Sequence, residues 1–281
     1  MKEPLSPPQT SKFFQALQLT RTVGLSLLEP VDYASRVINN KRHFPPLRLR
    51  REVGDLGSFE SSGGEFMPYC RLLCNVQPNE RVLDIGCGCG LMALFFEDYL
   101  DSTGQYVGVD IQSRLIRWCQ KHISSRSPNF KFVLLDLPNQ RYNPGGNPHA
   151  EFRIPEEDHS FDFILLKSVF THLLPNDLER CMAEISRLLS EDGRCLASFF
   201  LFNEGAAEVK STRSSLSFEF GDGTYRYQCE RVPERAVAYS ESYIRRILSQ
   251  HNLVLQEPIR YGTWSGRADG LSFQDLIVVT R

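Results

Sequence analysis

Residues 82–90 constrain the fold of this chain more than any other segment. Their sequence is VLDIGCGCG, in which a short apolar strand runs into a loop with glycine at every second position. An apolar helical pattern begins directly afterwards at Leu91. A strand, a glycine loop and a helix in this order form the ligand-binding turn at the carboxyl edge of a doubly wound sheet. Glycine lets a ligand approach the backbone closely, so Gly86, Cys87 and Gly88 are candidate ligand contacts.

From about residue 81 onward, apolar strands alternate with amphipathic helices. Almost wholly apolar strands suit a sheet that is covered on both faces. The predicted strands are 81–85, 106–109, 131–135, 161–166, 194–202, 253–259 and 276–280. The predicted helices are 91–100, one capped by Ser113, 176–189 ended by Asp192-Gly193, and one capped by Ser240. This order predicts an α/β fold with a doubly wound, mostly parallel, seven-stranded sheet.

Two segments break this alternation. Residues 1 to about 60 are rich in proline, with short helical patterns such as Lys12–Leu19, and residues 203–239 are rich in glycine, serine and charge. We expect an N-terminal helical cap over 1–64, a ligand-binding domain over 65–281, and a lid-like insertion after the fifth strand at 203–239. Aromatic candidates for an apolar pocket are Phe59, Phe66, Tyr69, Phe218, Phe220, Tyr225, Tyr227, Tyr261 and Trp264.

The composition argues against several classes of protein. A formal net charge of −2 over 281 residues gives no overall attraction to nucleic acid or acidic membranes. The N-terminus lacks the apolar core of a signal peptide and no apolar run approaches transmembrane length, so a cytoplasmic location is expected. Eight cysteines without a C-x-x-C pair predict reduced thiols. Cys87 and Cys89 have no second ligand pair at a zinc spacing, so no metal is expected.

One basic cluster lies within sixteen residues that contain no acid. Its members are Arg36, Lys41, Arg42, Arg48, Arg50 and Arg51. A solvated face of the N-terminal cap is the favoured interpretation. Recognition of a phosphate, a carboxylate or RNA is the alternative.

The glycine spacing and the carboxylate of Asp84 narrow the class of ligand. A dinucleotide-binding loop has the pattern G-x-G-x-x-G, whereas Gly86, Gly88 and Gly90 follow G-x-G-x-G. Asp84, at the strand end just before the loop, would repel a pyrophosphate and attract an ammonium group. The segment therefore favours a cationic ligand without phosphates.

Two further carboxylates follow the next two predicted strands. Asp110 can accept hydrogen bonds from both hydroxyls of a ribose, a role shared by nicotinamide and methionine-derived cofactors, and Ile111 can offer an apolar face to adenine. Asp136 can accept from the adenine amino group, while the backbone N–H of Leu137 can donate to the ring. Three aspartates at three successive strand ends predict an adenosine site at this edge of the sheet.

These segments resemble the class I S-adenosylmethionine-dependent methyltransferase family over about residues 65–202. The matching segments are Val82–Gly90, Val109-Asp110, Asp136-Leu137, Phe161–Ile164, Ser168–Leu173, Glu184–Leu189 and Asp192-Gly193, the last in place of the usual Pro-Gly-Gly. The resemblance implies S-adenosylmethionine as cofactor and a Rossmann-like methyltransferase fold. Within the family the chain most resembles small-molecule methyltransferases of bacterial type. Lys167, at the end of the fourth strand, is expected to contact the cofactor through its backbone, with its side chain at the pocket rim or in solvent.

The implied reaction is an in-line displacement at the methyl carbon, in which the site mainly aligns the reactants and excludes water. A hydroxyl nucleophile additionally needs a proton acceptor. His172, just past the fourth strand, is the candidate general base, and a structural role in the strand–helix loop is its alternative. His149 is a second candidate.

We therefore expect methyl transfer to a small or medium-sized metabolite, most readily at a hydroxyl oxygen, of the natural-product or sugar and glycolipid type found in secondary metabolism. No nucleic-acid partner is expected, because residues 166–169 lack the Asn/Asp-Pro-Pro-aromatic motif of base amino methyltransferases. A nitrogen or carbon acceptor, a nicotinamide-dependent oxidoreductase and a catalytically silent scaffold are the alternatives. The sequence leaves the acceptor and the oligomeric state open.

Overall fold

The structure is a computed structural model, and it describes residues 27–54, 59–203, 209–210 and 216–281. The chain divides into two compact units, residues 1–60 and residues 61–281. The predicted helix at Lys12–Leu19 lies outside the described residues. No helix within the described ranges is both long and apolar enough to span a membrane.

The secondary structure follows the predicted alternation. The helices are α1 (27–38), α2 (Leu47–Arg50), α3 (Phe59–Cys74), α4 (Leu91–Glu97), α5 (Ser113–Cys119), α6 (Pro175–Leu188) and α7 (Glu241–Gln250). The strands are β1 (Arg81–Ile85), β2 (Gln105–Asp110), β3 (Phe130–Leu134), β4 (Phe161–Leu166), β5 (Leu189–Phe199), β6 (Leu201–Phe202), β7 (Val209–Lys210), β8 (Ser217–Phe218), β9 (Phe220–Gly221), β10 (Tyr225–Tyr227), β11 (Val237–Ser240), β12 (Val254–Arg260) and β13 (Asp275–Thr280).

In the first unit, part of the basic cluster is paired with acids that flank the acid-free stretch. Arg36 and Arg50 both form ion pairs with Asp32, and Lys41 pairs with Glu60. The side chains of Arg36 and Arg50 are only 11% and 13% exposed. These two arginines are therefore packing residues, neither solvated nor available to bind an anion.

The central sheet of the second unit confirms the predicted fold class. Its seven strands have the order β12-β13-β5-β4-β1-β2-β3. Strands β1 to β5 pair in parallel, and β13 lies antiparallel between β5 and β12. The chain moves outward from β1 through β2 to β3 and then returns to the other side of β1 at β4. The carboxyl ends of β1 and β4 thus form the switch point at which doubly wound sheets bind ligands.

The buried faces explain why these segments fold as they do. The last four residues of β1 are buried, as are five of the six residues of β4, in accord with helices on both faces of the sheet. Helix α6 buries the predicted apolar stripe, from Leu178 to Leu188. Ser240 caps α7 as predicted, because its hydroxyl accepts a hydrogen bond from the N–H of Tyr243.

Three predicted details of the element ends are wrong. Helix α6 ends at Leu188, not at Asp192-Gly193, because the extended Leu189 already pairs with Phe161 in the sheet. Asp192-Gly193 lies inside β5, which begins five residues earlier than predicted. Ser113 opens α5 but makes no capping hydrogen bond, since Gln112 occupies the cap position.

The segment predicted as a lid-like insertion forms strands of its own where it is described. Strands β6, β11, β10 and β9 make a four-stranded sheet, and β7 pairs with β8. The ring of Phe200, between β5 and β6, packs against Phe218 and Trp264 with centroids 5.5 Å and 5.1 Å away. Phe218 and Trp264 are 2% and 1% exposed, so these two pocket candidates belong instead to a small second core.

Candidate functional site

The glycine loop after β1 adopts a backbone that requires its glycines. Gly86, Gly88 and Gly90 have φ values of 78°, 56° and 79°, in the left-handed region that favours glycine. A Cβ on Gly86 would lie 2.4 Å from Cγ2 of Val169. The N–H groups of Gly86 and Cys87 both donate to the carbonyl of Val109, at 2.8 Å and 3.0 Å, and so tie the loop to β2. At its three glycine positions the loop therefore has only backbone beside the switch point.

Asp84 lies beneath this loop and is 2% exposed. Its carboxylate accepts a hydrogen bond from the hydroxyl of Tyr106 on the neighbouring strand β2. Burial, with a smaller contribution from the carboxylate of Asp110, raises the pKa of Asp84 to about 7, against the opposing effects of Tyr106 and Lys167. Burial thus disfavours the ionised form of this carboxylate, and a cation bound beside it would stabilise that form.

Asp110 at the end of β2 is positioned by two backbone donors. Its Oδ2 accepts from the N–H of Gly88 and its Oδ1 from the N–H of Gln112, both at 2.8 Å. Burial nevertheless raises the pKa of Asp110. Because each carboxylate oxygen has two lone-pair sites, both retain capacity for a hydroxyl. Ile111, partly buried against the main core, follows at the same edge.

The structure places Asp136 and Leu137 in a tight turn after β3. Asp136 is exposed and accepts a hydrogen bond from the side-chain amide of Asn143 at 3.1 Å. The N–H of Leu137 donates to the carbonyl of Leu135 at 2.8 Å. In this conformation the turn already uses the donor, and the contact of Leu137 with an adenine ring stays a prediction.

The segment after β4 is held by contacts that the sequence did not indicate. Ser168 has φ 60°, rare for a residue with a side chain, and its N–H donates to Oγ of Ser198 at 2.8 Å. The hydroxyls of Ser168 and Ser198 both donate to Oε1 of Gln274, at 3.0 Å and 2.7 Å. We name Ser168, Ser198 and Gln274 the serine–glutamine clasp. It fixes Lys167 and Val169, the neighbours of Ser168, beside the glycine loop.

His172 ends a short 3-10 turn, Phe170–His172, that follows this segment. Its Nδ1 lies 2.9 Å from the carbonyl of Glu234, and the ring of Tyr142 meets it edge-on at 5.2 Å. Burial, with a smaller contribution from Arg141, lowers the pKa of His172 to about 4. The ring is neutral at pH 7, so Nδ1 carries the proton donated to Glu234 and Nε2 keeps a lone pair. His149, the second candidate, is exposed in a turn.

The thiols near the loop are buried and unreactive. The Sγ atoms of Cys87 and Cys119 lie 3.8 Å and 3.6 Å from the carbonyl of Gly88. Burial raises the pKa of both thiols above the ordinary range. Among the described residues, no group of His, Cys, Asp or Glu side chains is arranged to hold a metal ion.

A family model described as a methyltransferase domain matches residues 82–193, which run from β1 into β5 and include the candidate cofactor-binding residues and His172. Residues 82–193 thus form a methyltransferase domain, of the class I, S-adenosylmethionine-dependent kind. Its cofactor is S-adenosylmethionine, which removes the nicotinamide alternative.

The chain matches most of the length of one curated relative and only a small part of another. The chain is 26% identical over 206 residues to the uncharacterized methyltransferase YcgJ of Bacillus subtilis, covering 71% of this chain and 70% of that protein. It is 26% identical over 136 residues to the eEF1A lysine and N-terminal methyltransferase of Bos taurus, covering 47% of this chain. The chain spans only 17% of the length of that relative.

A solved structure with the same fold is that of the PH0226 protein from Pyrococcus horikoshii OT3. The TM-score is 0.55 at 17% sequence identity, with 79% of this chain and 91% of that chain covered. At this identity the likeness supports the fold alone.

The methyltransferase site fits its cofactor on the contacts described above. The glycine turn offers backbone without side chains at Gly86, Gly88 and Gly90, and a Cβ at Gly86 would clash with Val169. Asp84 offers a buried carboxylate to the cofactor's ammonium, and Asp110 offers two oxygens with spare lone pairs to its ribose. At the adenine end of the site, the N–H of Leu137 already donates to the carbonyl of Leu135.

Proposed function

We propose that the protein transfers the methyl group of S-adenosylmethionine to a hydroxyl oxygen of a small or medium-sized metabolite. The observation that carries this proposal is His172, an imidazole that is neutral at pH 7 and ends the short turn Phe170–His172 after β4. Its Nδ1 is fixed by the carbonyl of Glu234 at 2.9 Å, which leaves Nε2 as the acceptor of a proton. A hydroxyl needs such an acceptor when it becomes a nucleophile.

S-adenosylmethionine, when bound, would supply an electrophilic methyl group on a sulfonium, which is a neutral thioether once the carbon–sulfur bond has broken. Asp84 would hold its ammonium, Asp110 its ribose, and the turn at Asp136 and Leu137 would border its adenine. The acceptor hydroxyl forms the new oxygen–carbon bond as its proton passes to Nε2 of His172. Because positive charge disperses during this transfer, alignment and exclusion of water supply most of the rate.

The chemical class of the methyl acceptor is proposed from the aromatic residues of the insertion. The insertion at 203–239 follows β5 and contributes Tyr225 and Tyr227, which stack at 6.0 Å and pack against the main core. Aromatic side chains beside an acceptor site would suit a metabolite of the natural-product type more than a nucleic acid. The net charge of −2 supports the same choice.

Transfer from S-adenosylmethionine with an isotopically labelled methyl group to matched pairs of acceptors, such as a phenol and the corresponding aniline, tests the proposal. We expect label on oxygen, and a His172→Gln variant that loses about 10²- to 10⁴-fold in rate while binding the cofactor normally. His149→Gln, at the exposed alternative, is the matched control. Label on nitrogen only, as the name of the eEF1A relative would suggest, or an unchanged His172→Gln rate contradicts the proposal.

A further inference from the structure

The side chain of Lys167, expected at the pocket rim or in solvent, is half-buried. Its Nζ lies 4.9 Å from the centroid of the Phe66 ring on α3. Within the ranges that the structure describes, no carboxylate oxygen lies within 4.0 Å of this Nζ. Burying an ammonium group without an ion pair costs free energy, and a cation over a phenyl ring recovers only part of it. Among the described residues, Lys167 is thus held at the site without an ion pair to a carboxylate.

The register of β4 and β1, continued one residue beyond the end of β4, places the side chain of Lys167 on the same face of the sheet as that of Asp84. Leu165 is the cross-strand partner of Asp84 in the parallel pair β4·β1, and neighbours of this kind point to the same side. Lys167 comes two residues later, which carries it about 6.5 Å further toward the carboxyl edge with the same orientation. The segment that bears it is fixed by the serine–glutamine clasp through Ser168.

The charges that face Lys167 come from two elements. Burial lowers its pKa, while Glu65 on α3 and Asp84 on β1 raise it. Glu65 is exposed and contacts the hydroxyl of Tyr69 at 3.1 Å. The negative group, Asp84, is thus the more deeply buried of the two, and the positive group, Lys167, lies further toward the carboxyl edge of the sheet.

We propose that Nζ of Lys167 binds the carboxylate of the methionine moiety of S-adenosylmethionine. An α-amino acid carries an ammonium and a carboxylate on one carbon atom, and Asp84 followed by Lys167 offers the two opposite charges in matching order. The inference rests on the proposed placement of the cofactor's ammonium at Asp84. It adds a side-chain contact to a residue for which only a backbone contact was expected.

Calorimetric binding separates this role from a general effect on the site. S-adenosylhomocysteine carries the carboxylate, whereas 5′-methylthioadenosine has the same adenosine and thioether without the amino acid. We expect Lys167→Met to weaken binding of S-adenosylhomocysteine about 10- to 100-fold and to leave binding of 5′-methylthioadenosine within about twofold. Lys167→Arg should retain part of the preference, and Lys121→Met, at an exposed lysine, should change neither.

Each other outcome overturns the inference in a recognisable way. Equal weakening of both ligands assigns Lys167 to shaping the loop, and thermal melting of the variant then shows the accompanying loss of stability. Unchanged binding of S-adenosylhomocysteine by Lys167→Met removes the cofactor carboxylate as its partner and leaves an acceptor carboxylate as the other source. If the parent protein binds neither ligand, the proposed cofactor placement fails as well.

Discussion

A buried carboxylate whose proposed partner is a cation makes cofactor affinity depend on pH, and Asp84 is such a group. Burial and, to a smaller extent, Asp110 raise its pKa to about 7, although Tyr106 and Lys167 oppose the rise. The cofactor's ammonium interacts favourably only with the ionised carboxylate. Binding and proton loss are therefore linked, and affinity must rise with pH until the pKa of the free protein is passed.

The size of the effect follows from the ionised fraction. With a pKa of about 7, about a tenth of the molecules carry an ionised Asp84 at pH 6 and about half at pH 7. The affinity for S-adenosylhomocysteine should therefore increase about fivefold between these two values and level off above them. The nearby thiols of Cys70, Cys87 and Cys119 add nothing to this slope, because burial raises the pKa of each above its ordinary value.

Calorimetry from pH 5.5 to 7.5 on three proteins checks the reasoning. Asp84→Asn keeps the shape and still accepts the Tyr106 hydroxyl, but it cannot ionise, so the pH slope should vanish and affinity at pH 7 should fall. Tyr106→Phe removes a hydrogen bond that lowers the pKa of Asp84, so the slope should move to higher pH. A flat profile for the parent protein, or the parent's slope in Asp84→Asn, would refute the linkage.

Three further predictions concern stability, measured by urea unfolding. Gly86→Ala should lower the free energy of unfolding by about 2–4 kcal/mol, because φ is 78° and the new Cβ meets Val169; adding Val169→Ala should recover the steric part only. Ser168→Gly should be more stable than Ser168→Ala by about 1 kcal/mol, since both lose the hydroxyl but only glycine accepts φ 60° freely; equal stabilities would contradict this. Asp275→Asn should cost about 1–3 kcal/mol, because Asp275 accepts from two backbone N–H groups and the Trp264 indole, each at 2.6 Å, and one oxygen becomes a donor; an unchanged midpoint would count against it.

Much of the fold was predictable because its signals are local. The bounds of β1 and β4 match their predictions, since each is a short, mostly apolar run whose residues are nearly all buried. The predicted end of helix α6 failed because the competing signal is distant in sequence. Leu189 leaves the helix to pair with Phe161, a contact that no local pattern around Asp192-Gly193 reveals.

The candidate site likewise combines features that local sequence patterns predict with features that depend on distant residues. The glycine loop and the aspartates at three strand ends could be located because chain order fixes which strand ends carry them, and parallel strands bring those ends to one edge. The chain alone could not show that the Leu137 N–H is engaged, since that depends on the local turn geometry. Nor could it show that the clasp exists, since its members lie between 30 and 106 residues apart.

The sequence by itself determined the fold class, the glycine loop and the identity of the methyl donor, because short-range patterns of apolar, glycine and acidic residues encode all three. Only the tertiary structure decided the electrostatics of that site. It buried Asp84 until its pKa rose to about 7, and it brought Lys167 over Phe66 without an ion pair among the described residues. Both outcomes depend on which distant segments cover a side chain, and solvent exclusion is a property of the packed molecule, not of the chain.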